Sequence, residues 1–222
     1  MAFTMKKSSK KLKQYLRDNQ RVRYPEDEAR YSWLPTLLDT YHVLDTGISL
    51  ELKQAELERK DKVTCKKGCS NCCVHIAVPI TEPELWGISW FSSEKLTGDI
   101  RKSVANQLQH HKGIPQCPFL VDAACSIYPV RPMACRIFFT FGAICKPDEE
   151  VVNTRMHDVW THSRDVGKLA AMTILPLFGI TGKRERTIAV EEGYLYSVAK
   201  PMHELSLVSL YRQLEKPNSL IE

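Results

Sequence analysis

The sequence has no hydrophobic run long enough to cross a membrane. Its longest largely apolar stretch, residues 170–180, is interrupted by Pro176 and falls well short of the ~20 residues that a membrane helix needs. No apolar segment follows the basic residues of the N-terminus, so no secretory signal is predicted. We therefore expect a cytoplasmic protein, in which structural disulfides are disfavoured.

The motifs of several common enzyme classes are also missing. The chain has no P-loop, no G-x-G-x-x-G loop and no Ser-His-Asp pattern, and it shows neither an internal repeat nor a low-complexity tract. Its length of 222 residues and its hydrophobic fraction of 43% are ordinary for a globular protein with a real core.

Positive charge is concentrated at one end of the chain. Residues 1–23 contain eight Lys or Arg and a single acid, Asp18, although the net charge of the whole chain is only +5. We interpret residues 1–24 as a basic arm that could contact nucleic acid or an anionic surface. A solvated terminus that aids solubility is the simpler interpretation, because no RNA-binding or helix-turn-helix pattern accompanies the arm.

Helical periodicity dominates the rest of the sequence. One apolar stripe with spacings of three and four predicts a long helix, weakened at Gly47, that leads towards the cysteines. The stripe consists of Leu34, Leu37, Leu38, Tyr41, Leu44, Ile48, Leu52 and Ala55. Thr81 and Glu84 form a capping-box pattern, which predicts a helix start.

Further elements follow from the same patterns. Alternation over residues 74–80 predicts a short strand or extended segment, and residues 115–142 predict a tight loop with a short helix after Pro132. More helices are predicted over 98–111, 155–175, 188–199 and 202–215. The fold class is therefore mainly α, a single helical domain over residues 25–222 with a central cysteine-rich core and at most a few short strands.

Cysteine is the unusual feature of this chain. Four of the eight cysteines fall within the nine residues of "CKKGCSNCC", and in a cytoplasmic protein such density predicts metal binding or redox chemistry. Burial as small hydrophobic residues would explain single cysteines but not this spacing. The eight are Cys65, Cys69, Cys72, Cys73, Cys117, Cys125, Cys135 and Cys145.

The spacing within the first group suits a shared centre. Cys65, Cys69 and Cys72 follow C-x3-C-x2-C, and such short loops let thiolates converge on a zinc ion or an iron–sulfur cluster. Cys73 cannot easily point the same way as Cys72, so either the turn is irregular or Cys73 serves a second centre. The cations that lie near the cysteines in sequence could offset the negative charge of a four-thiolate site; they are Lys66, Lys67, Arg131 and Arg136.

The same spacing is used by radical S-adenosylmethionine enzymes. Those enzymes are built from repeated strand–helix units, whereas the residues after Cys72 show helical periodicity. That reading would also leave the later cysteines unexplained. A neighbouring His75 could complete a mixed Cys/His site, but an ordinary polar role is the favoured interpretation.

The motifs "CKKGCSNCC", "CPFL" and "CSIYPVRPMACR" resemble the YkgJ-like cysteine-cluster family of zinc- or iron-chelating proteins. The resemblance covers residues 65–145, and it implies Arg131, Pro132 and Arg136 as accompanying framework. It implies a metal-ligand pool of Cys65, Cys69, Cys72, Cys73, Cys117, Cys125 and Cys135, with Cys145 as an eighth ligand or a bystander. Related clusters occur in flagellin lysine methylases, which this chain resembles only in the cluster.

The cofactor and the function class stay open at this stage. All-thiolate shells suit both metals, and the surplus of thiols favours iron, as a four-iron cluster, over zinc. We expect the 65–73 group to share a site with Cys117, Cys125 and Cys135. The chain is predicted to be a metal-binding protein; the alternatives are a redox or methyl-transferring enzyme that uses the cluster, and an interaction module with purely structural zinc.

Overall fold

The computed structural model describes residues 14–66, 68–75, 77–112, 114–147 and 149–215. The chain is mainly α-helical, as predicted, and its strands form only short two-stranded ladders in the described part. It divides into two compact units, each built from two stretches of sequence. The helical unit comprises residues 1–62 and 161–197, and the cysteine unit comprises residues 63–160 and 198–222. The single domain expected over residues 25–222 stays a prediction.

The α-helices are numbered in chain order after a helical stretch over residues 14–18. They are α1 (Pro25–Arg30), α2 (Leu34–Arg59), α3 (Cys72–His75), α4 (Glu82–Glu94), α5 (Gly98–His110), α6 (Met133–Ile137), α7 (Val151–Thr154), α8 (Arg164–Ile174), α9 (Lys183–Glu191), α10 (Tyr194–Val198) and α11 (Val208–Glu215). Short 3-10 turns cover Tyr128–Val130, Met156–Asp158, Leu175–Phe178 and Met202–Glu204.

The helical unit is organised around α2 and α8, which pack along each other. Helix α2 begins with Pro35 in its first turn, where a missing N–H costs nothing, and ends before Lys60 in a left-handed conformation. Its predicted stripe is buried from Leu34 to Ile48 and half-buried at Leu52 and Ala55. Val166, Ala170 and Ile174 of α8 are buried in the same unit. Burial of these side chains supplies the main stabilisation of the unit.

Helix α2 runs without a break through Gly47, where the sequence predicted a weakening. A Cβ atom at Gly47 would lie 2.7 Å from Cγ1 of Val166 and 2.8 Å from its Cγ2. Glycine therefore serves the close approach of α2 and α8 and does not mark a helix boundary.

In the cysteine unit, α4 and α5 pack against α11. The predicted capping box is present: the Thr81 N–H donates to Oε2 of Glu84, at 2.8 Å, at the start of α4. Arg101 of α5 donates to the carbonyl oxygens of Ser93, at 2.6 Å, and Leu214, at 3.1 Å, and so joins the ends of α4 and α11. The buried apolar core of this unit includes Ile88, Val104, Leu108, Phe119, Phe141, Leu207 and Leu210.

Among its described residues, the cysteine unit also contains three antiparallel ladders. β1 (Pro79–Ile80) pairs with β6 (Lys200–Pro201), β2 (Leu120–Val121) with β3 (Ala124–Cys125), and β4 (Phe139–Thr140) with β5 (Val159–Trp160).

Several predicted boundaries differ from the structure. The alternating segment 74–80 is helical in α3 at its start and extended only in β1, because the adjacent cysteine loop turns the chain first. Several shorter helices take the place of the three predicted C-terminal helices. Pro176 and Gly179 end the α8 region, and Gly193 separates α9 from α10. Within the described residues, none of the helices has both the length and the apolar character that a bilayer span requires.

Candidate metal centre

The cysteine loop 65–73 begins where an extended segment lies beside β4. Val63 forms a β-bridge with Phe141, and the Thr64 N–H donates to the Thr140 carbonyl oxygen at 2.9 Å. This pairing brings Cys65 next to Thr140. The loop then turns, with the Cys69 N–H donating to the Lys66 carbonyl at 2.9 Å.

The hairpin of β2 and β3 positions two later cysteines. Its two turn residues, Asp122 at φ +49° and Ala123 at φ +56°, both adopt the left-handed conformation of a type I′ turn. The ladder places Cys125 opposite Leu120. Cys117, just before the hairpin, donates its N–H to the Cys73 carbonyl oxygen at 2.7 Å and so connects the hairpin to the first loop.

Helix α6 carries Cys135 and is held at its start by a buried carboxylate. Oε1 of Glu84 accepts the Met133 N–H at 2.7 Å, while Oε2 accepts the Thr81 N–H and hydroxyl. Glu84 is 1% exposed, and its burial raises the pKa of the carboxyl. The Glu84 side chain therefore links the starts of α4 and α6.

Four thiols, which we call the hairpin thiol set, interact with one another: Cys72, Cys117, Cys125 and Cys135. Partial burial raises the pKa of Cys117 to about 12, and the charges of Cys125 and Cys72 contribute to the rise. Burial likewise raises the pKa of Cys135, with contributions from the other three members of the set. The four side chains thus share one electrostatic environment.

Backbone N–H groups point at two sulfurs of this set. The Phe119 N–H donates to the sulfur of Cys117, and the Ile127 N–H donates to the sulfur of Cys125; both bonds lower the pKa of the thiol that accepts them. Each donor lies two residues after its cysteine. Hydrogen bonds of this kind stabilise a thiolate, which is the form that binds metals.

Cys73 lies at the edge of the hairpin thiol set. A side-chain hydrogen bond with Cys73 is the largest cause that raises the pKa of Cys72, followed by burial. The two adjacent cysteines of the chain therefore lie in contact.

Two guanidinium groups lie at the hairpin thiol set. The charge of Arg131 lowers the pKa of Cys72, Cys125 and Cys135, opposing the effect of burial. Arg136 is buried and donates to the carbonyl oxygens of Arg131, at 2.9 Å, and Pro129, at 2.7 Å. Two of the four cations expected from the sequence, Arg131 and Arg136, thus lie beside these thiols.

Arg131 has an unused donor at this position. Its Nε is buried and has no hydrogen-bond partner among the described residues, while its guanidinium stacks on Tyr128 at 4.4 Å from the ring centroid. A buried guanidinium N–H without an acceptor is costly. An anionic metal–thiolate centre at the neighbouring sulfurs fits this donor, and the sulfur-only donor set fits zinc or iron.

The remaining three cysteines form a second group, which we call the Thr140 thiol set: Cys65, Cys69 and Cys145. The hydroxyl of Thr140, which is fully buried, lies 3.5 Å from the sulfur of Cys65 and 3.8 Å from that of Cys145. Burial raises the pKa of Cys145, and the charges of Cys69 and Cys65 add to this. Cys145 is therefore influenced by Cys65 and Cys69, which come from a distant part of the sequence.

Polar contacts hold the Thr140 thiol set in place. Nη2 of Arg155 approaches the sulfur of Cys145 at 3.8 Å, while Nε of Arg155 donates to Glu149 at 2.8 Å. Nδ2 of Asn71 donates to the Glu149 carbonyl oxygen at 2.8 Å, which connects the first cysteine loop to the segment after Cys145.

All eight predicted ligands are half-buried free cysteines. The structure brings Cys72 together with Cys117, Cys125 and Cys135, and it places Cys65 and Cys69 beside Cys145. Within the described residues, no three Cys, His, Asp or Glu side chains lie close enough together to hold one metal ion. The two sets are therefore defined by the effects of their charges on one another's pKa and by the shared contact with Thr140. The ligand assignment itself stays a prediction.

Sequence reasoning missed two residues of this region. Thr140 and Arg155 carry no motif signal, because their contacts with Cys65 and Cys145 depend on chain pairing over long separations. The side chain of His75, together with Lys67 and residues 1–13 of the basic arm, lies outside the described residues. Of the rest of the arm, Arg21 is paired with Glu28 and Asp39, and contact of the arm with nucleic acid stays a prediction.

Comparison with known proteins identifies the region that contains both thiol sets. No curated protein and no solved structure matches the chain. Residues 64–158 match a family model described as "CxxCxxCC: Putative zinc- or iron-chelating domain". This stretch includes every cysteine of the chain, together with Arg131, Thr140 and Arg155. Residues 64–158 are therefore similar to this zinc- or iron-chelating family, and the match supports metal binding by the chain.

Proposed function

We propose that the chain binds iron as an iron–sulfur cluster, a four-iron cluster in preference to other forms, through the hairpin thiol set. Cys72, Cys117, Cys125 and Cys135 would be the four ligands. The observation that carries the proposal is the buried, unpartnered Nε of Arg131 beside three of these four thiols. Its N–H is placed to meet negative charge that appears only when the sulfurs are deprotonated by a metal.

The charges of this region agree with a four-thiolate centre. A four-iron cluster in its oxidised form with four thiolates has a net charge of about −2, and Arg131 with Arg136 supplies two positive charges. The Phe119 and Ile127 N–H groups donate to two of the sulfurs, and such bonds help to set the reduction potential of a cluster. A bound cluster would supply one-electron redox chemistry.

Zinc would use the same four ligands with the same net charge, so experiment must decide the metal at this site. The preference for iron rests on the surplus of thiols in the chain as a whole. The alternatives of a redox or methyl-transferring enzyme and of an interaction module stay predictions, as does a cytoplasmic location.

The test is purification without oxygen, followed by metal and sulfide analysis and visible spectroscopy. We expect brown protein that contains iron and acid-labile sulfide and that bleaches with dithionite. The variant Cys125→Ser should lose the chromophore, because it removes a ligand, whereas Cys145→Ser should keep it. Stoichiometric zinc without iron in the anaerobic protein would overturn the choice of metal, and protein free of both metals would overturn the function.

A further inference from the structure

Two of the cysteines outside the hairpin thiol set meet at one buried hydroxyl. The sulfur of Cys65 lies 3.5 Å from the hydroxyl oxygen of Thr140, and the sulfur of Cys145 lies 3.8 Å from the same atom. The two sulfurs are therefore separated by no more than the sum of these two distances, although the cysteines come from distant parts of the sequence. Neither belongs to the four ligands of the proposed cluster, so the pair is available for a chemistry of its own.

Chain pairing and one specific turn bring these sulfurs together. The Thr64 N–H donates to the Thr140 carbonyl oxygen at 2.9 Å, which fixes the backbone next to Cys65. The chain turns at Gly142, whose φ of +75° favours glycine, and so returns Cys145 to the Thr140 hydroxyl. The fold therefore specifies the meeting of the two side chains.

Arg155 holds the returning segment and places positive charge at one of the sulfurs. Its Nη2 donates to the Ala143 carbonyl oxygen at 2.8 Å and lies 3.8 Å from the sulfur of Cys145. Burial raises the pKa of Cys145, whereas the hydrogen bond with Thr140 and the charge of Arg155 lower it. A cation and a hydroxyl at a sulfur stabilise the thiolate, which is the form that reacts with oxidants.

Both thiols are accessible enough to react. Cys65 and Cys145 are half-buried, and the exposed residues Ile144 and Lys146 flank Cys145 on either side. Residues 143–146 belong to no helix and to no ladder. Cys145 can therefore move towards Cys65 without breaking a regular element.

We propose that Cys65 and Cys145 form a redox-active pair, which hydrogen peroxide converts to a disulfide and a dithiol reduces again. The thiolate of Cys145 attacks one peroxide oxygen, the O–O bond breaks, and the leaving hydroxide takes up the proton that Cys145 had released. The sulfenic acid thus formed on Cys145 is attacked by the sulfur of Cys65. The S–S bond forms, the S–O bond breaks, and the second hydroxide leaves as water with the proton of Cys65. Two thiols give up two electrons, and the peroxide becomes two waters.

The disulfide closes a long loop that contains the hairpin thiol set. All four cysteines of that set lie between Cys65 and Cys145 in the sequence. A cross-link between the ends of such a segment restricts the unfolded chain, and this effect increases with loop length. We expect oxidation to raise the melting temperature by at least about 5 °C, and reduction to reverse the rise.

Peptide mapping tests the pair directly, because trypsin places each of the two cysteines in a peptide of its own. Cleavage after Lys and Arg, except before Pro, yields residues 63–66 with Cys65 and residues 137–155 with Cys145 as their only cysteines. Full-length protein purified without oxygen is treated with hydrogen peroxide, its remaining thiols are alkylated, and the digest is analysed by mass spectrometry without reduction. We expect the cross-linked peptide 63–66/137–155 to form at least about tenfold faster than any other disulfide peptide, and to disappear with dithiothreitol.

Serine variants separate the pair from the other thiols. Cys65→Ser and Cys145→Ser should abolish the rise in melting temperature, whereas the matched control Cys69→Ser, in the same loop as Cys65, should keep both the rise and the cross-linked peptide. Circular dichroism identifies folded variants, and mapping of the wild-type chain decides the proposal even where a variant does not fold.

The outcome does not depend on the proposed metal-binding function. Failure of the wild-type chain to yield the 63–66/137–155 peptide, or a faster disulfide between other cysteines, would overturn the redox pair whatever the metal content. Protein that is free of iron and zinc but forms this peptide would overturn the proposed function and leave the redox pair standing.

Discussion

At the scale of single residues, Glu84 is the most constrained side chain near the cysteines. Its two carboxylate oxygens accept three donors, from the Met133 N–H and from the N–H and hydroxyl of Thr81. The carboxylate caps α4 and at the same time holds the start of α6, two residues before Cys135. The Glu84 side chain of the capping box thus also binds the start of α6, the helix that carries Cys135.

Replacing Glu84 by Ala should destabilise the protein strongly. The substitution leaves buried donors of Thr81 and Met133 without an acceptor, and we expect a loss of about 2–4 kcal/mol in the free energy of unfolding. The measurement is urea denaturation, and the matched control is Glu82→Ala, an exposed acid in the same helical turn. The control should cost at most about 1 kcal/mol. Equal effects of the two variants would show that the Glu84 contacts do not stabilise the fold.

At the scale of elements, sequence patterns predicted what depends on neighbouring residues. The stripe of α2 and the Thr81–Glu84 capping box are local signals, and both elements formed as expected. The β2–β3 hairpin was missed because its turn, Asp122–Ala123, lacks the glycine that usually marks a type I′ turn. Asp122 and Ala123 adopt positive φ there although neither is glycine, because the pairing of β2 with β3 requires this turn.

The grouping of the cysteines depends on pairing between segments that are far apart in the sequence, and the sequence alone could not predict this pairing. Thr64 and Thr140 are 76 positions apart, and nothing in either segment specifies that they lie side by side. For this reason the sequence grouped Cys65, Cys69 and Cys72 by spacing. In the structure, Cys65 and Cys145 lie at the same Thr140 hydroxyl, and the charges of Cys65 and Cys69 act on Cys145. Cys145, which the sequence left as an eighth ligand or a bystander, shares the Thr140 hydroxyl with Cys65.

The packing of α2 on α8 yields a second prediction. Gly47→Ala would raise helix propensity by up to about 1 kcal/mol in an open site. Here the new Cβ would come within 2.8 Å of both Val166 methyl carbons, so we expect a net destabilisation of about 1–2 kcal/mol.

A double-mutant cycle distinguishes this clash from other causes. Val166→Ala makes room for the Cβ, so the double variant Gly47→Ala/Val166→Ala should be more stable than the sum of the single effects by about 1 kcal/mol. Thermal or urea unfolding measures all four proteins. Additive effects would mean that the two helices do not approach closely at Gly47.

At the scale of the whole molecule, every cysteine belongs to one of the two units. All eight lie between residues 65 and 145, inside the cysteine unit, and the helical unit contains none. The helical unit has its own buried apolar core on α2 and α8, whereas the loops around the thiols have short ladders and few long helices. Metal binding is therefore expected to contribute stability unevenly along the chain.

Removing the metal should loosen the cysteine unit selectively. A thiolate site does not exist in the unfolded chain, so the free energy of metal binding stabilises the segments that supply the ligands. In hydrogen–deuterium exchange, chelator-treated protein should exchange its amides around β2, β3 and α6 at least roughly tenfold faster, equivalent to about 1.4 kcal/mol. Amides of α2 and α8 should change little and serve as the internal control. If exchange accelerates equally in both units, residues 25–222 unfold as the single domain expected from the sequence, and unchanged exchange everywhere would exclude a structural metal.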